Sequence, residues 1–286
     1  MSKKVTNKIE ECERVPIVTI LGHVDHGKTS ILDKIRETNV QGCEVGGITQ
    51  KVSLFTVKVK GGKQITFVDT PGHEAFDLMR SRGGSIADIV LLVVAADDGV
   101  KPQTREAANH AKAAQVPIVV ALNKIDKAEA NPDLAKRQLS EIGLVPDEWD
   151  GDTMVVPVSA KNKMGLEDLM EAILLIADSK IIKANPKGKC LGTVVEAELD
   201  RTTGPMVTLL VQNGTLKLGE TVLAGEGYGR IKAMFDQRRQ RVKKASPSTP
   251  VVVMGLNSLP EAGDLFEVVA SDKEARVVVS ERKTAR

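Results

Sequence analysis

The chain has 286 residues, which at roughly 150 residues per domain is enough for about two domains with full cores. Lys and Arg total 40 and Asp and Glu total 38, so the formal charge is +2. That balance excludes a strongly basic nucleic-acid coat and an acidic disordered tail. Five Phe, Trp149 and Tyr228 are too few aromatics for a platform that stacks single-stranded nucleic acid.

Taken from the N-terminus, residues 1–14 are charged and have no apolar core, so they are not a secretory signal and are expected to form a frayed arm. Val15-Pro-Ile-Val-Thr-Ile-Leu21 is a buried-strand run closed by Gly22, and a helix starts near Lys28 with Ile31, Leu32 and Ile35 on one face. Gln41 to Thr49 is glycine-rich and predicts a loop. Val52 to Val59 and Gln64 to Val68 predict strands joined across Gly61-Gly62. Ile89 to Val94, Pro117 to Leu122 and Met154 to Val158 are further buried runs, with helices expected over 73–82, 103–115, 133–142 and 166–177. Buried strands alternating with amphipathic helices imply a mostly parallel sheet covered on both faces, and the hairpin makes it mixed.

The longest apolar run, Ile89 to Ala96, falls far short of the roughly twenty residues of a membrane span, so no membrane partner is expected. After Lys180 the texture changes. Asn185-Pro-Lys-Gly188 is a linker signal, followed by short strand-like runs over 191–199, 205–212, 220–223, 229–235, 251–255 and 265–269 with turns between them. That pattern predicts a small β-barrel. A helix over 272–286 is opposed mildly by Val277-Val-Val279. The expected fold class is therefore α/β, a mixed, mostly parallel sheet domain followed by a small all-β barrel domain. The expected boundaries are 1–14 for the arm, 15–184 for the first domain and 185–286 for the barrel. Cys12, Cys43 and Cys190 are few, odd in number and far apart, so they are read as free thiols in a reducing cytosol and the chain is expected to be cytoplasmic.

Four segments carry chemistry. Gly22-His-Val-Asp-His-Gly27-Lys28-Thr29 fits G-x-x-x-x-G-K-[ST] between a strand and a helix, where backbone N–H groups and the helix N-terminus converge on a phosphate. Gly22, His23, Val24, Asp25, His26, Gly27, Lys28, Thr29 and Ser30 are the candidate phosphate-loop residues. Within them Lys28 is placed to reach the β- and γ-phosphates and Thr29 to ligate Mg²⁺. His23 and His26 are given no catalytic role.

Asp69-Thr-Pro-Gly72 follows a strand. Asp69 is a candidate to hold Mg²⁺ through water, and Gly72 offers a backbone N–H to a γ-phosphate. Asn123-Lys124-Ile125-Asp126 also follows a strand, and the Asp126 carboxylate can accept from guanine N1–H and N2–H₂, a pair adenine cannot supply. Ser159-Ala160-Lys161 can support the guanine O6 with backbone N–H.

In this order the four segments resemble the GTPase superfamily. Gly46-Gly-Ile-Thr49-Gln50 and Asp69-Thr-Pro-Gly-His73 narrow the resemblance to translational GTPases. Asp69 to Phe76, Val93 to Gly99, Pro102-Gln-Thr104, Glu148 to Met154 and Val211 to Leu216 are similar to the bacterial translation initiation factor two family. Elongation factor Tu would carry an Arg where Gly46 stands, and Lys51 stands where the initiation factors often have His.

The resemblance implies a GTPase that binds GTP or GDP with Mg²⁺. Thr49 would ligate the ion in the GTP state only, and His73 would orient the attacking water. Val24 and Ile48 would gate His73 until the ribosome engages, and Asp25 would help hold a monovalent cation. It also implies a monomeric chain that contacts ribosomal RNA. The basic run Arg238-Arg-Gln-Arg-Val-Lys-Lys244 is either one such contact or a solvated hairpin tip. The family continues beyond the barrel with the domains that bind initiator tRNA, so that binding is expected only in a longer form.

Overall fold

The computed structural model describes residues 11–39, 53–69, 86–200 and 204–284, in two compact units. One unit runs from Val15 to Ile181. The other holds Ile182 onward together with residues 11–14, whose strand β1 (Cys12–Glu13) belongs with it.

The first unit alternates strand and helix: β2 (Ile17–Gly22), α1 (Lys28–Asn39), β3 (Ser53–Lys58), β4 (Gln64–Asp69), β5 (Ile89–Ala95), α2 (Pro102–Ala113), β6 (Ile118–Asn123), α3 (Pro132–Glu141), β7 (Met154–Pro157) and α4 (Leu166–Lys180). The sheet runs β3-β4-β2-β5-β6-β7. Only β3 is antiparallel, to β4, so the sheet is mixed and mostly parallel as the apolar runs implied. Every residue of β5 and β6 is buried, which is why these strands read as continuous apolar runs rather than alternating ones. Pro102 and Pro132 open their helices at positions whose N–H would be unpaired anyway, and the Asn131 side chain accepts from Leu134 N–H at 3.0 Å. The helix expected over 73–82 and the loop expected over 41–49 lie outside the described residues.

In the second unit β8 (Lys183–Ala184) pairs antiparallel with β1, Cys12 opposite Ala184. Arg14 also donates its backbone N–H to Ile182 O at 3.1 Å and a guanidinium N–H to Ser248 Oγ at 3.1 Å. The end of the arm expected to fray is therefore tied into this unit by backbone pairing, which leaves no hydropathy period in so short a strand.

The strands that follow are β9 (Leu191–Asp200), β10 (Gly204–Asn213), β11 (Leu216–Lys217), β12 (Thr221–Ala224), β13 (Gly227–Arg230), β14 (Ala233–Phe235), β15 (Lys244–Ala245), β16 (Pro250–Met254) and β17 (Leu265–Val269). Seven form one antiparallel sheet, β13-β12-β17-β9-β10-β16-β14, and β11 pairs with β15. The sheet curls around a core that includes Val194, Leu209, Val222, Met234, Val253 and Phe266.

The single strand expected over 229–235 is two. Its first part pairs with β12 at one edge of the sheet, and its second part pairs with β16 at the other. One continuous segment thus joins both edges of the barrel, which leaves no long free edge. Where it crosses, a side chain on Gly229 would run into Gly255 O and one on Gly255 into Arg230 O, so both positions require glycine.

The C-terminal helix forms in spite of its valines as α5 (Asp272–Thr284). Ala275 and Val279 are buried one turn apart while Val277 stays half exposed. Ser271 Oγ accepts from Glu274 N–H at 3.3 Å, the cap that the Ser-x-x-Glu spacing encodes, and Glu274 Oε2 accepts from Ala270 N–H, one residue before the capping serine, at 2.9 Å.

Candidate functional site

A parallel sheet sends its chain turns to the carboxyl ends of its strands, and that edge is where the chemistry-bearing segments gather. Residues 22–29 follow β2, Asp69 ends β4, residues 96–99 follow β5, Asn123 ends β6, and Ser159 follows β7. Segments far apart in sequence meet there because their strands are sheet neighbours.

The loop after β2 leaves no room for side chains at its two glycines. A Cβ on Gly22, at φ +142°, would strike Val93 O, and one on Gly27, at φ +90°, would strike Asn123 Nδ2. The loop makes one 3-10 turn over Val24–His26 and enters α1 at Lys28. Backbone N–H groups at a helix start, with no Cβ in the way, form an anion cradle. Lys28 Nζ donates to Gly22 O at 2.8 Å and to His23 O at 3.0 Å, which holds the ammonium over the loop. Burial pushes the Lys28 pKa below its ordinary value, with Asp69 and Asp25 opposing. An anion at the loop would relieve that cost. Thr29 and Ser30 begin α1 on its exposed side, and Val24 is 71% exposed.

Asp69 has the opposite problem. It is 4% exposed, and burial pushes its carboxyl pKa up, with Lys28 and Arg36 opposing and Asp33 adding to the rise. A carboxylate held dry at a strand end beside the loop fits a cation or its bound water. Arg36 lies 3.9 Å over the Phe55 ring and donates to Ser53 Oγ at 2.5 Å, so its charge is fixed near Asp69.

Asn123 is 2% exposed and joins two loops. Its Nδ2 donates to His26 O at 2.9 Å, and its Oδ1 accepts the Ala160 N–H at 3.2 Å. Of the backbone N–H groups of Ser159-Ala160-Lys161 expected to support a base carbonyl, that of Ala160 is engaged by Asn123. Asp126 is exposed, and its Oδ1 accepts from Ser159 Oγ at 2.6 Å. Ser159, fully buried, in turn accepts from Asn162 N–H at 3.1 Å. The Ser159 hydroxyl holds the Asp126 carboxyl below the usual carboxylate range, opposed by desolvation and helped by Lys161 and Lys127. Asp126 is therefore an aimed anion, suited to accept two N–H groups from a planar base.

Three contacts were not legible in the sequence. Asp97, after β5, binds Lys127 Nζ at 2.5 Å and lies 4.0 Å from Lys124 Nζ, which anchors the Lys124 turn, itself at φ +64°. His23 Nδ1 meets Gln103 Oε1 at 2.6 Å, linking the phosphate loop to the start of α2. His26 is fully buried, with Nδ1 3.3 Å from Val93 O. Its Nε2 is 3.4 Å from Asp98 Oδ2, outside hydrogen-bond geometry. Burial lowers the His26 pKa, with Val93 O and Asp98 opposing. The Asn-Lys-x-Asp and Asp-Asp-Gly segments were visible, but nothing in their spacing says that one braces the other. Ile48, Thr49, Lys51, Gly72 and His73 lie outside the described residues.

Two family models match the chain. The elongation factor Tu GTP binding domain matches residues 42–179, and elongation factor G domain 2 matches residues 189–269. The chain is 60% identical over 271 residues to translation initiation factor IF-2 of Moorella thermoacetica, covering 95% of this chain and 30% of that protein. It is 58% identical over 268 residues to translation initiation factor IF-2 of Dehalococcoides mccartyi, covering 94% of this chain and 45% of that protein. The chain thus spans less than half the length of these relatives.

Among solved structures, GDP-bound aIF5B from Aeropyrum pernix is similar at TM-score 0.76 and 28% identity, over 94% of this chain and 56% of that one. The apo form of translation elongation factor SelB from Methanococcus maripaludis shares the fold at TM-score 0.67 and 22% identity, over 91% of this chain and 55% of that one.

Proposed function

We propose that the chain belongs to the translational GTPases, in the family of bacterial initiation factor two, and that it is a GTP-binding and GTP-hydrolysing switch of translation initiation that acts on the ribosome. The observation that carries the proposal is the pair of hydrogen bonds made by the Asn123 side chain. One buried amide bonds to both the loop after β2 and the Ser159-Ala160 loop, which supports reading the phosphate cradle and the base-reading carboxylate as parts of one site.

The residues divide the work. Backbone N–H groups of 22–29 and Lys28 would neutralise the phosphates, and Gly72 would offer a further N–H to the γ-phosphate. Asp126, aimed by Ser159, would accept N1–H and N2–H₂ of guanine, with Lys124 and Lys161 beside it. Mg²⁺ would be held by Thr29, by Thr49 in the GTP state and through water by Asp69, and it would supply charge neutralisation at the phosphates. Asp25 would help hold a monovalent cation. His73 would orient the attacking water, and Val24 with Ile48 would keep it away until the ribosome engages.

No internal arginine finger is assigned, so turnover without the ribosome would be slow. The proposed setting is the cytoplasm, as a monomer. Among the described residues no helix is long and apolar enough to cross a membrane. The basic run 238–244 tops the turn between β14 and β15, where Asp236 Oδ1 accepts from Arg238 and Gln240 N–H and the arginines face solvent. Contact with ribosomal RNA phosphates through that turn would weaken steeply with salt.

The test is GTP hydrolysis with and without ribosomes, beside a His73→Ala variant. Stimulation that disappears in the variant supports the proposal. Tight guanine-nucleotide binding with no stimulation would reduce the chain to a nucleotide-binding switch.

A further inference from the structure

The second unit holds a cavity of about 520 Å³, large enough for a nucleotide-sized ligand, that the GTPase site does not use. Four lysines line it: Lys187, Lys189, Lys217 and Lys244. Two of them face each other by construction. In the β11–β15 pair Lys217 is the register partner of Lys244 and Leu216 that of Ala245. Leu216 and Ala245 are buried, so alternation turns both lysines to the opposite face, side by side. Like charges directly opposed across an antiparallel pair destabilise it. Among the described residues neither ammonium is paired with a carboxylate, whereas Lys189 is held by Glu267.

One acid lies in the lining against the four lysines, so the cavity keeps an excess of positive charge. That acid, Glu220, accepts the Lys217 backbone N–H on Oε2 at 2.8 Å, and its carboxylate offsets one lysine charge. Cys190 at the floor is 5% exposed, and burial, with Glu220 adding, pushes its thiol up to about 12, so it contributes no negative charge. The lining has no aromatic ring, so it offers a base no stacking surface.

We propose that this cavity is an anion site for a compact phosphorylated ligand, a pyrophosphate or phosphomonoester, seated between Lys217 and Lys244. The concave form favours a compact ligand over a long strand, and the lysines supply donors to its oxygens. The assignment stands apart from the guanine-nucleotide reading, since every lining residue lies in the second unit.

The test is backbone amide NMR of the whole chain titrated with pyrophosphate at low salt with GDP present, beside a Lys217→Gln, Lys244→Gln double variant. Expected are saturable shifts at the amides of Gly188, Cys190, Lys217 and Lys244 with an affinity of roughly millimolar or better, and at least about tenfold weaker binding in the variant. Without pyrophosphate the variant should melt no lower than the parent, because it removes a repulsion. Any pyrophosphate taken by residues 22–29 is common to both proteins. Equal affinity in the two proteins, or no shifts at these amides, would overturn the proposal. So would shifts produced by a short RNA strand and not by pyrophosphate, which would make the cavity a nucleic-acid contact.

Discussion

Replacing Asn123 by Ala removes both ends of the tie between the phosphate loop and the Ser159-Ala160 loop. Two hydrogen bonds disappear, to His26 O and from Ala160 N–H, and each is worth about 1 kcal/mol net. The side chain is 2% exposed, so the groups left behind are poorly hydrated, and each adds part of a desolvation cost of about 1–3 kcal/mol. The total is about 2–4 kcal/mol. In a unit of this size 1 kcal/mol shifts the midpoint by about 2–4 °C, so the nucleotide-free transition should fall by roughly 5–15 °C. Trp149 is the single tryptophan and lies in the first unit, so its fluorescence follows that unit alone. Asn123→Asp keeps an acceptor for Ala160 N–H but sets a buried carboxylate oxygen against His26 O, so it should lose at least as much as the alanine variant. A fall below about 1 kcal/mol in the alanine variant, or an aspartate variant clearly more stable than the alanine one, would refute the two-ended tie.

Asp126→Asn should move base preference from guanine toward xanthine, because the partner of N1–H and N2–H₂ changes. Competition between GDP and XDP checks it, and unchanged selectivity would remove Asp126 from the base site. Cys190, with a thiol pKa of about 12, should resist iodoacetamide at pH 8 about a thousandfold more than an ordinary exposed thiol, as read by mass spectrometry, and react once urea opens the barrel. The sign of its linkage follows. The folded pKa lies above the ordinary 9.0, so this contribution to stability is fully present below pH 9 and is lost as pH rises through 9 toward 12. Urea midpoints across that range should fall for the parent and less for Cys190→Ala. Ser271→Ala removes the cap on Glu274 N–H and should cost about 1 kcal/mol in the second unit, measurable by urea unfolding followed by circular dichroism.

What the sequence determined by itself is what local pattern and spacing can carry. Short, β-branched apolar runs such as Ile89 to Ala95 point to buried strands, and Gly22 to Thr29 carries its strand-turn-helix setting in adjacent residues. The apolar run before each of the four motifs already placed it at a strand end. The tertiary structure decided which of these residues brace one another. Asn123 reaches His26 across 97 positions and Ser159 reaches Asp126 across 33, and Asp97 holds Lys127 only because β5 and β6 are sheet neighbours. It also decided how the barrel closes, since residues 229–235 look like one strand until both edges of the sheet claim them. The physical reason is the range of the forces. Propensity and hydropathy act on a few neighbouring residues, while a side-chain hydrogen bond or ion pair exists only between groups that packing has already brought within about 3 Å.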